Sequence, residues 1–152
     1  MRIRMTGVGA ALALAAALAA CGGGDSTGPS NASVAGSWTL SHSNMSGSGV
    51  SCNLSPAPMT LSQSGTTFSG SYGPATVSCN AGGQSESVQI QGIVVNGTID
   101  GNAVAFDLDT QDFHQTGSVS GGSMSGTARW TFDLGGAVGI VVLNGNWAAA
   151  KQ

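Results

Sequence analysis

The sequence predicts an all-β protein: one antiparallel up-and-down β-barrel of about eight to nine strands, behind a cleaved leader and a flexible tether. Three observations carry that expectation. Apolar residues recur at every second position through most of residues 34–152, which is the period of a half-buried strand. Glycine-bearing turn signals separate these runs at short intervals, in a chain with 25 glycines among 152 residues. Charged residues make up only 7%, against about a quarter in an average soluble domain, so a solvated helical bundle is excluded.

Each element has its own signal. Arg2 and Arg4 precede an apolar run from Val8 to Ala20, the pattern of a secretory signal peptide. The run is too short to cross ~30 Å of hydrocarbon as a resident helix. Residues 22–33 carry no large apolar side chain and read as a tether of about 20 Å root-mean-square length. Val34, Gly36, Trp38 and Leu40 then share one face, which places the first strand at 34–42. Strands are expected next at 58–64, 66–73 and 75–80, with turns at Ser64-Gly65 and Gly73-Pro74; Phe68, Gly70 and Tyr72 are in phase. A long strand at 86–100 changes phase, from Val88 and Ile90 to Ile93, Val95 and Ile99, which suggests a β-bulge at Gly92.

Val104, Phe106 and Leu108 mark a strand at 103–109, with another at 113–120. The clearest alternation is Met124, Gly126, Ala128, Trp130, Phe132 and Leu134, within a strand at 123–134. Val141, Leu143, Gly145 and Trp147 share a face of the last strand, 137–149. Turn signals at Gly82-Gly83, Gly101-Asn102, Gly121-Gly122 and Gly135-Gly136 supply the hairpins. An open meander would expose two edges of unpaired amides, and pairing the first strand with the last removes both. A two-sheet sandwich is the alternative. The chain thus divides into a leader at 1–20, a tether at 21–33 and a barrel at 34–152.

Leu18-Ala19-Ala20-Cys21 resembles the lipobox of bacterial lipoproteins: a Leu, two small residues and a Cys at the end of the apolar run. The resemblance implies cleavage before Cys21, acylation of its thiol and new amino group, and a membrane-lipid partner reached through Cys21. Two or more acyl chains hold a protein firmly where one does not. Gly22, rather than Asp, at the next position favours the outer membrane by the same resemblance. Gly36-Ser37-Trp38 resembles the Gly-x-Trp motif that opens lipocalins and related calycin barrels. There the Trp plugs the closed end against a basic residue of the last strand; Lys151 is the late basic residue here, although no Arg occupies that place. Avidins share the architecture, but the three tryptophans of this chain do not reproduce their Trp-rich site.

With Cys21 assigned to lipid, Cys52 and Cys79 form an even pair in an exported domain, which predicts a disulfide. That bridge would pin a long first connection to the barrel rim. Loss of residues 1–20 leaves Arg129 and Lys151 as the only Lys or Arg against seven acids, so there is no electrostatic footprint for nucleic acid. No GxSxG elbow, GxxxxGK[ST] loop or HExxH pair is present, and His42 and His114 fall near predicted strand ends. No enzyme activity and no cofactor are expected.

Asp107, Asp109 and Asp112 surround one turn and are the sole candidate for Ca²⁺; Asp is also the ordinary residue of turns and wet faces, and no metal is expected. Trp38, Phe68, Tyr72, Phe106, Trp130, Phe132 and Trp147 remain, either as the lining of an apolar pocket or as a filled core. The sequence therefore points to a lipid-anchored envelope protein, a non-enzymatic binder of a small apolar ligand or an envelope partner. The alternative is a structural lipoprotein with a solid barrel.

Overall fold

The computed structural model describes residues 30–109, 112–133 and 139–152. The predicted leader, the lipobox with Cys21, and tether residues 22–29 lie outside the described residues. The described chain forms nine strands: β1 (Gly36–Gly47), β2 (Val50–Leu54), β3 (Ala57–Ser64), β4 (Thr67–Ala81), β5 (Gln84–Asp100), β6 (Ala103–Leu108), β7 (Phe113–Ser120), β8 (Ser123–Asp133) and β9 (Ile140–Lys151). All pairings are antiparallel, and β1 pairs with β9 from Trp38↔Lys151 to Ser46↔Asn144. That pairing closes the sheet and excludes the sandwich.

β2 and β3 occupy one position in the barrel. Both lie between β1 and β4: Met45↔Cys52 and Leu40↔Ala57 on one side, Cys52↔Cys79 and Met59↔Tyr72 on the other. The barrel is therefore eight strand positions round, with one strand broken at Ser55-Pro56. Alternation alone assigns 43–57 to a connection. Instead, β1 runs on to Gly47, turns at Ser48-Gly49 and returns as β2. The predicted strands 66–73 and 75–80 are likewise one strand, β4, and Gly73-Pro74 is a bulge within it rather than a turn. Tyr72↔Gly92 and Ala75↔Ile90 leave Gly73 and Pro74 opposite Gln91 alone. Proline, with no N–H to give the ladder, is tolerated at such a bulge.

The phase slip in β5 also falls elsewhere than expected. Phe68↔Gly97 and Gly70↔Val94 place the extra residue at Val95-Asn96, not at Gly92. Val94 and Ile99 are buried inside, while Ile93 faces outward and is 52% exposed. A third slip lies in β1 between Ser43 and Ser46. Asn44 and Asn96 have φ of 57° and 53°, a left-handed conformation that Asn tolerates better than most residues. Each bulge bends its strand and lets a small barrel close.

Inside, the lower half is filled. Phe106 meets Phe68 edge-on at 5.8 Å and Trp147 at 5.0 Å. Trp147 is paired across to Gly126, which is paired to Gly117. The two glycines leave bare backbone beside the indole, whose Nε1 donates to Thr116 O at 3.1 Å. A Cβ at Gly126 would collide with the Thr116 carbonyl. Gly126→Ala is therefore expected to lower stability by about 2–3 kcal/mol through overpacking, as read from the urea midpoint.

The closed end is sealed by residues 31–35. Ala32 N donates to Gly101 O, Gly101 N to Asn31 Oδ1, and Val34 N to Gln63 Oε1. Val34 is fully buried, and its carbonyl accepts from Trp38 Nε1 at 2.8 Å. Lys151 Nζ lies 5.4 Å from the centre of the Trp38 ring, the plug-and-cation arrangement that the Gly-x-Trp resemblance implied.

Candidate functional site: the mouth of the barrel

Unequal strand lengths shape the other end. β4 and β5 have 15 and 17 residues, but β6 has 6 and β7 has 8. β6 pairs with β5 only from Val94 to Asp100, so among the described residues the Gln84–Gly92 stretch is paired in the sheet with β4 alone. The wall drops where β6 and β7 are short. A cleft of about 940 Å³ opens there between β2, β4 and β5 on one side and β8 and β9 on the other. Val50, Val77, Cys79, Val88 and Ile90 line the first wall, and Trp130, Thr131, Phe132 and Ile140 the second. Val88 and Ile140, on opposite walls, are 59% and 69% exposed. Exposed apolar residues that line one concavity mark a binding site more often than isolated ones do.

An aromatic column descends from the cleft. Phe132 and Trp130 lie 4.8 Å apart, Trp130 stacks on Phe113 at 4.9 Å, and Phe113 meets the His42 ring at 4.8 Å. Trp130 is 5% exposed, yet its Nε1 has no hydrogen-bond partner among the described residues, and neither does Oγ1 of Thr131 beside it. A buried donor without a partner costs roughly 1–3 kcal/mol, and both atoms belong to residues that line the cleft.

Beneath the column the interior is polar at one point. Gln115 is 1% exposed; its Nε2 donates to Phe113 O, and its Oε1 faces His42 Nε2 at 3.3 Å. An accepting Oε1 selects the His42 tautomer with the proton on Nε2. Burial, only partly opposed by the Gln115 hydrogen bond, depresses the His42 pKa from 6.5 to about 4. Because the folded value is below the unfolded one, the unfolded chain takes the proton first as pH falls. The contribution of neutral His42 is complete above about pH 6.5 and drains away between 6.5 and 4. The loss should reach roughly 2–3 kcal/mol, measured as urea midpoints at pH 7 and pH 4, and His42→Gln should flatten that dependence.

The seven aromatic candidates therefore divide. Trp38, Phe68, Phe106 and Trp147 belong to the filled core, at 0–4% exposure. Tyr72 lines a small void below the cleft with His42, Leu40 and Leu108; burial and then the Asp109 carboxylate hold its phenol above the usual range. Of the seven, only Trp130 and Phe132 reach the cleft. His42 is an interior residue of a longer β1 rather than a strand-end residue, because the Asn44 bulge lies beyond it. Gln115 is a site residue that sequence reasoning passes over: a Gln in the apolar phase of Phe113 and Val119 is the available signal.

The acidic candidates are not drawn together as a metal site. Asp107 accepts from Asn96 Nδ2 at 2.7 Å and pairs with His114 Nδ1 on the outer face. Asp109 sits in the turn against Gly92, and Asp112 is at the cleft. Among the described residues no group of three His, Cys, Asp or Glu side chains is placed to hold an ion. Cys52 and Cys79 form the predicted disulfide, with Cα atoms 4.0 Å apart. It joins directly opposed residues of β2 and β4 and so ties the cleft wall together, instead of pinning a loop.

Fold and site together define a class: a closed up-and-down β-barrel, sealed and packed at one end and cleft at the other. Comparison of the chain with family models, curated proteins and solved structures finds no match.

Proposed function

We propose that this protein is a lipid-anchored binding module of the bacterial cell envelope, taking a small and largely apolar ligand into the mouth of its barrel without chemical change. The observation that supports this reading best is the cleft of about 940 Å³, whose lining includes the exposed Val88 and Ile140 together with Trp130 and Phe132. Pockets that are mostly apolar with a few placed polar groups are the usual form of small-ligand sites. The anchor rests on the lipobox resemblance at Cys21 and on the tether composition. Residues 31–35 dock at the sealed end, so a tether from Cys21 would join the barrel at the end opposite the mouth.

Native mass spectrometry of the mature protein, extracted from a cell envelope, tests the reading. A reproducible adduct of small-molecule mass, lost on denaturation and lost again in Trp130→Ala, is expected. A bare protein mass in both would turn the reading toward a structural lipoprotein that contacts envelope partners, for which exposed Ile93 is the best candidate surface. The amino-terminal peptide from the same material should carry acyl chains, and Cys21→Ser should release the protein from the membrane. If Cys21→Ser stayed in the membrane fraction, the anchor would be wrong while the binding module stood.

A further inference from the structure

Resting on that reading of the cleft as a ligand site, we infer that its ligand is an organic cation: an ammonium group on an apolar body. The charge lining the cleft is of one sign. Among the described residues Glu86, Asp112 and Asp133 line it, and no Lys, Arg or His does. The fixed cations of the described residues are elsewhere: Arg129 is exposed on the outward face of β8, and Lys151 sits over Trp38 at the sealed end. His42 below is neutral at pH 7, since burial depresses its pKa.

The exposed carboxylates of Glu86 and Asp112 beside an apolar concavity repel a fatty acid or any other anionic amphiphile and attract a cationic one. The wall also offers the face of half-buried Phe132 beside Trp130, and aromatic faces attract ammonium groups. Acids at the rim and aromatic carbon behind them make a site for an amphiphilic amine.

The experiment titrates the mature protein, in detergent-free nanodiscs or as the soluble Cys21→Ser chain, with three probes of equal chain length: octyltrimethylammonium, octanol and octanoate. Tryptophan fluorescence reads Trp130, with the Trp130→Phe variant as reference. Octyltrimethylammonium is expected to bind about tenfold more tightly than octanoate, with octanol between them, and the ratio should shrink at high salt. The double variant Glu86→Gln, Asp112→Asn should narrow the ratio severalfold without changing the unfolding midpoint, because both side chains are exposed and Asn suits the positive φ at Asp112.

Equal affinity for all three probes overturns the charge selectivity and leaves an apolar binding module. Preference for octanoate overturns it as well. Binding of none of them, with the protein folded, overturns both readings, because the cleft is then filled by the protein itself. A response that follows protein concentration and a dimer mass assigns the cleft to a second copy of the chain and overturns the ligand.

Discussion

Phe106→Ala will lower the unfolding free energy by about 3–5 kcal/mol and leave uptake at the mouth nearly unchanged. Phe106 is 2% exposed and bridges two aromatic partners, Phe68 and Trp147, so truncation opens a cavity where neither neighbour can follow. Phe→Ala changes in well-packed cores fall in that range. The surrounding strands resist collapse, because close approach at Gly117 and Gly126 already fixes β7 against β8. Trp130→Ala should show the opposite pattern. It removes a donor that has no partner among the described residues together with its ring, so part of the packing loss is offset, while ligand affinity falls at least tenfold. Urea titrations and probe titrations on both variants measure the contrast. If the two variants behaved alike, the division between filled base and open mouth would be wrong.

That division is only partly legible in the sequence. Alternation identifies every inward face in β6, β8 and β9, because those strands have one period from end to end. It fails where a strand changes phase. Val50, Cys52 and Leu54 alternate as a strand should, yet Pro56 behind them reads as loop. Only the three-dimensional placement shows β2 as the broken half of β3's position. Asn44 and Asn96 are the signals easily overlooked, single Asn residues each at a bulge with positive φ. Gly92 attracts the bulge assignment because glycine is conformationally permissive. Here Gly92 lies in the regular ladder opposite Tyr72, with the Asp109 carboxylate packed against it.

The candidate site is less legible than the fold, for a physical reason. The sequence shows which aromatics point inward but not how high each stands in the barrel, and height separates core from cleft. Height depends on register and strand length. The β6–β7 wall is low because β6 stops at Leu108, while β5 continues beside β4 to its turn at Gly82-Gly83. Sequence alone presents seven equivalent aromatics. The barrel makes four of them packing and two of them surface for a ligand.

The wall that creates this height is the part most dependent on covalent chemistry, and there the second large effect is expected. Cys52→Ala, Cys79→Ala should lower stability by about 3.5 kcal/mol on the chain-entropy model, given a sequence separation of 27. The effect should also be local. β2 has five residues; its register with β1 covers only Met45 to Gly47, so without the bridge β2 is held by that short ladder, by its five pairs with β4 and by the burial of Val50 and Leu54. Hydrogen exchange should therefore rise first in Val50–Leu54 and in the Val77–Ala81 end of β4, while β7 and β8 keep their protection. Val50, Val77 and Cys79 line the cleft, so probe affinity should fall along with the protection of β2 under reducing conditions that leave the rest of the barrel folded. Uniform exchange across all strands would mean instead that the bridge stabilises only through the unfolded chain, and that the mouth keeps its shape without it.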